Sequence, residues 1–379
     1  MFLKFSTAAY RAARPLLFMP SAQQGHTALM RFLRMVDDSP ALLAACKDTG
    51  RRADHGAGLP VNTQAGQVKL DRSLIVAAGL VKGTGFADEA TALNAVERGE
   101  NIMPGWASMP ALAGIVEFGS FTPHPRPGNS GIVLWRDTAT RSTQNRVGLK
   151  NPGANAAAAF LAARHERLPA IFGINIAPTP GSVDVMQERD EVIAAFNAFV
   201  ERRVIPSWFT LNLSCPNTED DPHGNQTESK ARDLCGAVVS LLKQHGSTPL
   251  WVKVSPCLSK AQVAALMRAF ADTGVSAVIA TNTLPMPTRS DATVVAGVGG
   301  GRLHDAALES CRMLFAEKAA HGLEIDIIAC GGILDGDSLA VFIEAGVSAA
   351  QYYSALLYRG LLAGAVIWRE YGLKGQADD

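Results

Sequence analysis

The chain has 379 residues, 35 basic and 35 acidic side chains and 47% apolar residues, a neutral α/β-type composition that excludes a charge-driven nucleic-acid binder or an acidic tail. Its six cysteines (Cys46, Cys215, Cys235, Cys257, Cys311, Cys330) are far apart with no C-x-x-C pair, which argues against a metal site or disulfide framework and for a reducing compartment. Apolar runs fall short of the roughly 20 residues a spanning helix needs, and the Pro15 to Pro20 stretch is too short for a signal-peptide core, so the expected location is cytosolic or on a membrane surface.

Before Asp37 the chain carries Lys4, Arg11, Arg14, Arg31 and Arg34 and no acidic residue. Two helical patterns are expected here, Ala8 to Phe18 interrupted by Pro15, and His26 to Val36 with Leu29, Phe32, Leu33 and Val36 on one face. A basic helical hairpin with an apolar side suits either the interface of an anionic membrane or packing against the body with solvated arginines. From Ser39 to Asp71 the periodicity weakens into a connector, with a hairpin over Leu59 to Leu70 turning at Ala65-Gly66.

After Ser73 the chain alternates. Strands are predicted at Leu74 to Ala78, Ile115 to Ser120, Ala170 to Ile176, Phe209 to Leu213, Leu250 to Val254, Ala277 to Ala280, Ile325 to Ala329 and Ala349 to Tyr353. Between them lie helical stretches such as Asp88 to Arg98, Arg189 to Arg203, Lys230 to Gln244, Lys260 to Thr273, Ala306 to Ala320 and Ser338 to Ala345. Eight short buried strands, most followed by a helix, predict a (β/α)8 TIM barrel over residues 59–379 behind a small N-terminal helical extension, 1–58, with a doubly wound sheet as the second choice.

A barrel puts its chemistry at the carboxyl ends of its strands. Strand one ends in Ala78-Gly79 and leads to Lys82. Strand two ends in Ser120 and a proline-stiffened run, Thr122 to Asn129, followed by an arm at Asn145-Arg146-Val147-Gly148-Leu149. Strand three supplies Asn175, strand five Lys253, and strand six Thr281-Asn282-Thr283. The densest group follows strand four, where Trp208-Phe-Thr-Leu-Asn-Leu-Ser-Cys-Pro-Asn-Thr218 places Asn212, Ser214, Cys215, Asn217 and Thr218 within seven residues. Amides, hydroxyls and a thiol at that density fit a pocket for a flat polar ring. In the last third, Gly297 to Gly301 reads as a glycine run on a loop, Gly331-Gly332 ends strand seven, and Tyr353-Ser354 opens the helix after strand eight, where barrels commonly hold a phosphate.

Taken in order, these motifs resemble the dihydroorotate dehydrogenases, flavin mononucleotide (FMN) enzymes of pyrimidine synthesis built on a (β/α)8 barrel. The resemblance rests on Ala78-Gly-Leu-Val-Lys82, Thr122 to Asn129, Asn145-Arg-Val-Gly, Gly173-Ile-Asn, Asn212-Leu-Ser-Cys-Pro-Asn-Thr218, Ala280-Thr-Asn-Thr283, Gly331-Gly332 and Tyr353-Ser354. It implies that Ala78, Gly79, Lys82, Ser120, Asn175, Asn212, Lys253, Thr281, Gly300, Gly331, Gly332, Tyr353 and Ser354 hold FMN, with Lys253 near the N1–C2 edge of the ring. It implies that Lys82, Asn145 and the four residues after it, Asn212, Asn217, Asn282 and Thr283 hold the pyrimidine and its carboxylate. Cys215 falls where the family keeps its catalytic base, and a free thiol, with a pKa near roughly 8.5, is within reach of that task.

The resemblance mixes two branches. Tyr10-Arg-x-x-Arg-Pro-Leu-Leu-Phe18 and His26-Thr-Ala-Leu29 look like the membrane-associated, quinone-reducing branch, whereas a cysteine base is typical of the soluble branch that uses fumarate or NAD. Val81 stands where the family has an acidic residue, Ala177-Pro178-Thr179 where it has Gly-Lys-Asn, and Glu219 to Asn225 replaces Pro-Gly-Leu-Arg. The expected function is dihydroorotate oxidation with a quinone acceptor at the cytoplasmic face of a membrane. The alternatives are a relative acting on another dihydropyrimidine or with a soluble acceptor, and a non-catalytic flavin-binding barrel.

Overall fold

The computed structural model describes residues 2–57, 63–181, 184–213 and 227–375. Helices α1 (Phe2–Leu17) and α2 (Ala22–Asp37) form the expected hairpin, with Ser21 capping α2 through a reciprocal bond with Gln24. Helix α1 runs through Pro15 and is not interrupted there, since so near the helix end the proline forfeits one backbone bond. The connector expected after Ser39 is instead a third helix, α3 (Pro40–Ala57). Its Gly50 weakens the helical pattern in sequence, but in space the glycine is what lets α3 approach α5 (Ser108–Ala113): a Cβ there would lie 2.0 Å from the Ala111 carbonyl oxygen.

The predicted hairpin forms from β1 (Thr63–Ala65) and β2 (Val68–Leu70), turning at Gly66-Gln67, one residue later than expected. Both turn residues have positive φ, 51° and 66°, the conformation a two-residue hairpin loop demands. This turn closes the amino end of the body that follows. The Gly66 N–H donates to Asp326 Oδ2 at 2.7 Å, and Trp251 Nε1 donates to the Gly66 carbonyl at 3.1 Å.

Eight parallel strands then close on themselves: β3 (Leu74–Val76), β4 (Val116–Phe121), β7 (Phe172–Ile176), β8 (Trp208–Asn212), β9 (Leu250–Val254), β10 (Ala277–Ala280), β13 (Asp326–Cys330) and β14 (Ala349–Tyr352). Each pairs with the next in the sequence, and β14 pairs back onto β3, so the sheet is a barrel and not doubly wound. The strands are buried on both faces, as their near-continuous apolar runs require. Outside them lie α4 (Glu89–Glu97), α6 (Ala154–Ala162), α7 (Val185–Glu201), α8 (Glu228–Gln244), α9 (Lys260–Thr273), α10 (His304–His321), α11 (Gly336–Glu344), α12 (Ser354–Arg359) and α13 (Ala363–Gly375). Inside, Trp208 and Trp251 stack at 4.3 Å above the hairpin, so the lower barrel is packed core.

Four further strands were not legible in the sequence. β5 (Leu134–Asp137) and β6 (Ser142–Asn145) lie in the excursion after β4, β11 (Leu284–Pro287) and β12 (Val295–Gly300) in the one after β10, and they join as an antiparallel sheet, β11-β12-β6-β5. The glycine run expected on a loop is thus strand β12 through Gly300, continued by a 3-10 turn over Gly301–Leu303. Glycines and prolines disguise these strands; partners more than 100 residues away supply the ladder.

The helical hairpin is fastened by one carboxylate. Asp37, 3% exposed at the end of α2, accepts from the N–H groups of Gly105 (2.6 Å), Ala107 (3.3 Å) and Ser108 (2.8 Å) and from Asn101 Nδ2 (3.1 Å). Asp37→Ala leaves these buried donors without a partner and should cost about 3 kcal/mol in denaturant unfolding. At the other end of α2, burial and the charges of Lys82 and Lys150 hold the His26 imidazole down to about 4. An unfolded histidine takes its proton near 6.5, so between about 6.5 and 4 the unfolded state binds the extra proton and stability falls as pH falls. Thermal melts of His26→Gln should therefore lose less between pH 7 and 4.5 than melts of the wild type.

Candidate active site at the carboxyl mouth of the barrel

All eight barrel strands run toward one end, and the polar residues singled out above collect there. The last residue of β8, Asn212, is in register with Lys253 of β9. Asn212 Nδ2 donates to Ser120 Oγ at 3.2 Å, and Asn282 Nδ2 donates to Asn212 Oδ1 at 3.4 Å. Asn282 Oδ1 in turn accepts from the Thr283 N–H at 2.8 Å. A row of amides thereby runs from the end of β4 across β8 to the loop after β10, with Thr281 beneath it held through its N–H on the Cys330 carbonyl. Lys253, 5% exposed, donates from Nζ to Gln351 Oε1 at 3.1 Å and approaches Cys330 Sγ at 3.4 Å.

Asn175 stands apart. Its side chain is fully buried on β7, yet neither amide atom has a hydrogen-bond partner among the described residues, and the Thr283 hydroxyl is in the same position. Buried amides are satisfied as a rule, because stranding one costs about 1–3 kcal/mol per group. A donor and an acceptor left open on the strand between those of Ser120 and Asn212 are the signature of a site made for a polar ligand.

The glycine-bearing segments meet on the adjoining part of the mouth. A Cβ on Gly300 would lie 3.1 Å from Ser354 Oγ, and Ser354 Oγ bonds Thr143 Oγ1 at 2.7 Å, joining β12, β6 and the start of α12. Gly331 and Gly332, with φ of 148° and 72°, press against Leu303, His304 and Ala307, where side chains of their own would collide. The Gly79 N–H donates to the Gly119 carbonyl at 2.6 Å, and a Cβ on Gly79 would lie 3.6 Å from the Tyr353 ring. Gly79 and Tyr353, Gly300 and Ser354, and Gly331 with Gly332 thus lie close-packed around this part of the mouth. Burial keeps Tyr353 protonated, its pKa pushed up to about 12.

Lys82 follows in the loop after β3, whose Val81 carbonyl accepts from the Gly119 N–H at 2.9 Å. Asn145 closes β6, paired with Gly297 and Leu134. The next four residues build the rim: Asn129 holds the Arg146 carbonyl through Nδ2 (2.9 Å) and the Val147 carbonyl through its N–H (3.1 Å), Arg126 holds that of Gly148 (3.2 Å), and Asn151 that of Leu149 (2.6 Å). Those backbone acceptors are spent on the proline-rich run and on Asn151, a buried anchor that sequence reasoning overlooked. Cys215 and Asn217 lie outside the described residues.

Sequence reasoning also passed over a polar layer one step below the mouth. Glu117 on β4, Thr210 on β8 and Gln351 on β14 are all fully buried in the barrel interior. The signal was present as a single charged or amide residue inside an otherwise apolar strand, as in Val116-Glu-Phe and Ala350-Gln-Tyr. Cys330 joins this layer, its thiol pKa raised by burial and partly offset by Lys253.

The architecture and its site can be set beside known proteins. A family model described as dihydroorotate dehydrogenase matches residues 103–372. The chain is 34% identical over 255 residues to the dihydroorotate dehydrogenase (quinone) of an Azoarcus species, covering 65% of this chain and 73% of that one. It is 30% identical over 364 residues to the enzyme of the same name from Flavobacterium lutescens, covering 93% of each. Among solved structures, that of an Eimeria tenella DHODH in complex with ferulenol superposes with a TM-score of 0.69 at 20% identity, over 90% of this chain and 93% of that one, which speaks for the fold. With a family match over residues 103–372 and a relative 30% identical over 93% of each chain, the chain belongs to the dihydroorotate dehydrogenase family.

Proposed function

We propose that this protein oxidises dihydroorotate to orotate with FMN as its cofactor and passes the electrons to a quinone at a membrane surface. The observation that carries the reading is Asn175, an open, fully buried amide on β7, the strand between those of Ser120 and Asn212. The donor set fits FMN: an amide and an ammonium suit the polar edge of a flavin ring, and the corner of Gly300, Gly331, Gly332, Tyr353 and Ser354 suits its phosphate. FMN, when bound, supplies the acceptor for the hydride that leaves C6 of the substrate.

The protein's own groups do the rest. Asn145, Asn212, Asn217 and Asn282 each offer a donor and an acceptor, which matches the alternating N–H and C=O edge of a dihydropyrimidine. Lys82 places positive charge for the substrate carboxylate, and Thr283 brings an unspent hydroxyl. Lys253 holds positive charge where the ring gains electrons. Cys215, as a thiolate, takes the proton from C5, a role its place in the Asn212 to Thr218 motif supports. Residues 1–58 act as the acceptor-facing extension and 59–379 as the catalytic barrel. In favour of a membrane surface, α1, α2 and their turn expose Phe5, Leu16, Leu17, Met19, Phe32 and Met35, Met19 to 79%, among arginines, while no described helix is long and apolar enough to cross a bilayer.

Anaerobic dihydroorotate should bleach the yellow FMN-loaded protein in stopped-flow absorbance. Cys215→Ala should keep FMN and slow that bleaching by roughly 10²–10⁴-fold; a rate like the wild type's would remove Cys215 from the chemistry. Leu16→Glu with Met19→Glu should abolish sedimentation with anionic vesicles and cut turnover with a long-chain quinone while leaving the bleaching rate intact. Loss of bleaching as well would make the hairpin a structural element of the barrel.

A further inference from the structure

We infer that Glu117 is a positioning residue, which sets the acceptor and the counter-charge of Lys253 through the side chain of Gln351. The inference rests on the flavin reading of the site and concerns two residues that reading does not use. Glu117 accepts through Oε1 from Trp208 Nε1 at 3.2 Å and from Thr210 Oγ1, and through Oε2 from Gln351 Nε2 at 3.1 Å and the Ala78 N–H at 3.4 Å. Among the described residues no basic side chain forms a salt bridge with it. Its route to a positive charge is one amide long: Gln351 Oε1 accepts from Lys253 Nζ at 3.1 Å.

The two ends of that amide are chemically dictated. An ionised carboxylate only accepts and an ammonium only donates, so the Gln351 NH2 must face Glu117 and its carbonyl must face Lys253. The relay spans the barrel interior from β4 through β14 to β9, and all three side chains are buried, with Glu117 and Gln351 at 0% exposure. In such surroundings an ammonium without an acceptor or counter-charge is costly, so a carboxylate at this position offsets that cost and aims Lys253 through the Gln351 amide. A fold has no need of an ionised group here for its own sake, since Trp208 and Thr210 are satisfied by any acceptor.

In Glu117→Gln, a carbonyl that keeps Trp208 and Thr210 turns an NH2 toward the NH2 of Gln351. Gln351 must then flip, and it presents a donor to Lys253. The exchange Glu117→Gln with Gln351→Glu restores every partner of the relay: the new amide donates to the new carboxylate, which accepts directly from Lys253, and the net charge is unchanged.

The test uses the full-length, FMN-loaded protein and reads the two-electron midpoint potential by reductive titration between pH 6 and 9, with thermal melts as a check on folding. Glu117→Gln should lower the reduction equilibrium at least tenfold, a shift of about 30 mV to the negative side. The exchange variant should recover most of that shift. An unchanged or more positive potential in Glu117→Gln, or an exchange variant no better than the single one, overturns the inference. If Glu117→Gln does not fold, the exchange variant decides alone, and failure of both to fold reduces Glu117 to a structural role and overturns the inference too. A wild type that binds no FMN sinks the flavin reading instead. The relay is then decided without cofactor, by melts in the Lys253→Met background: there Glu117→Gln should lose most of its destabilising effect, and strictly additive losses overturn it.

Discussion

One buried carboxylate ties the working end of this barrel together. Glu117 receives hydrogen bonds from β8 twice, from β14 and from the end of β3, and through Gln351 it reaches Lys253 on β9. Five of eight strands thus share a polar plug at a level where most parallel barrels carry branched aliphatics. Below it the stacked Trp208 and Trp251 and the Gly66 turn exclude water, so the plug interacts in a low dielectric where each of its bonds counts for more. Above it the open amide of Asn175 and the Ser120–Asn212–Asn282 row face the mouth. The barrel is therefore layered along its axis from dry floor to charged middle to hydrogen-bonding rim.

The rim owes its shape to inserted chain. The sheet β11-β12-β6-β5 is assembled from excursions after β4 and β10, and it carries Asn145 at one strand end and Gly300 at another. Because the two excursions pair with each other, Asn145 and Gly300 sit on one sheet and not on separate loops. Asn129 and Asn151 then brace the arm from outside by taking up its carbonyls.

The helical hairpin is joined to this scaffold at few but strong points. Asp37 fastens its far end, while Tyr10 and Arg14 reach the carbonyls of Leu357 and Tyr358, and Arg136 of β5 holds those of Phe18 and Pro20 at its turn. Anchored by polar groups on its inner side, the hairpin leaves Leu16, Leu17 and Met19 facing out. The result is an apolar surface kept exposed beside the barrel body.

Much of this was legible from the chain alone. Eight apolar runs separated by amphipathic stretches specify parallel strands buried on both faces, for which a barrel is the first choice, and an Asn, Lys or Thr at several strand ends marks the mouth. Periodicity could not reveal α3, whose Gly50 looks like a breaker and is a point of close approach, or β11 and β12, whose Pro285, Pro287 and glycines have no strand propensity and rely on partners far away. Nor could it show that Glu117 and Gln351 meet: they are 234 residues apart, on strands that become neighbours of β3 only when the sheet closes. Local pattern thus decides which segments are buried and which residues stand at their ends, whereas closure of the sheet decides which of those residues touch, since hydrogen bonds across a barrel interior depend on register and not on sequence distance.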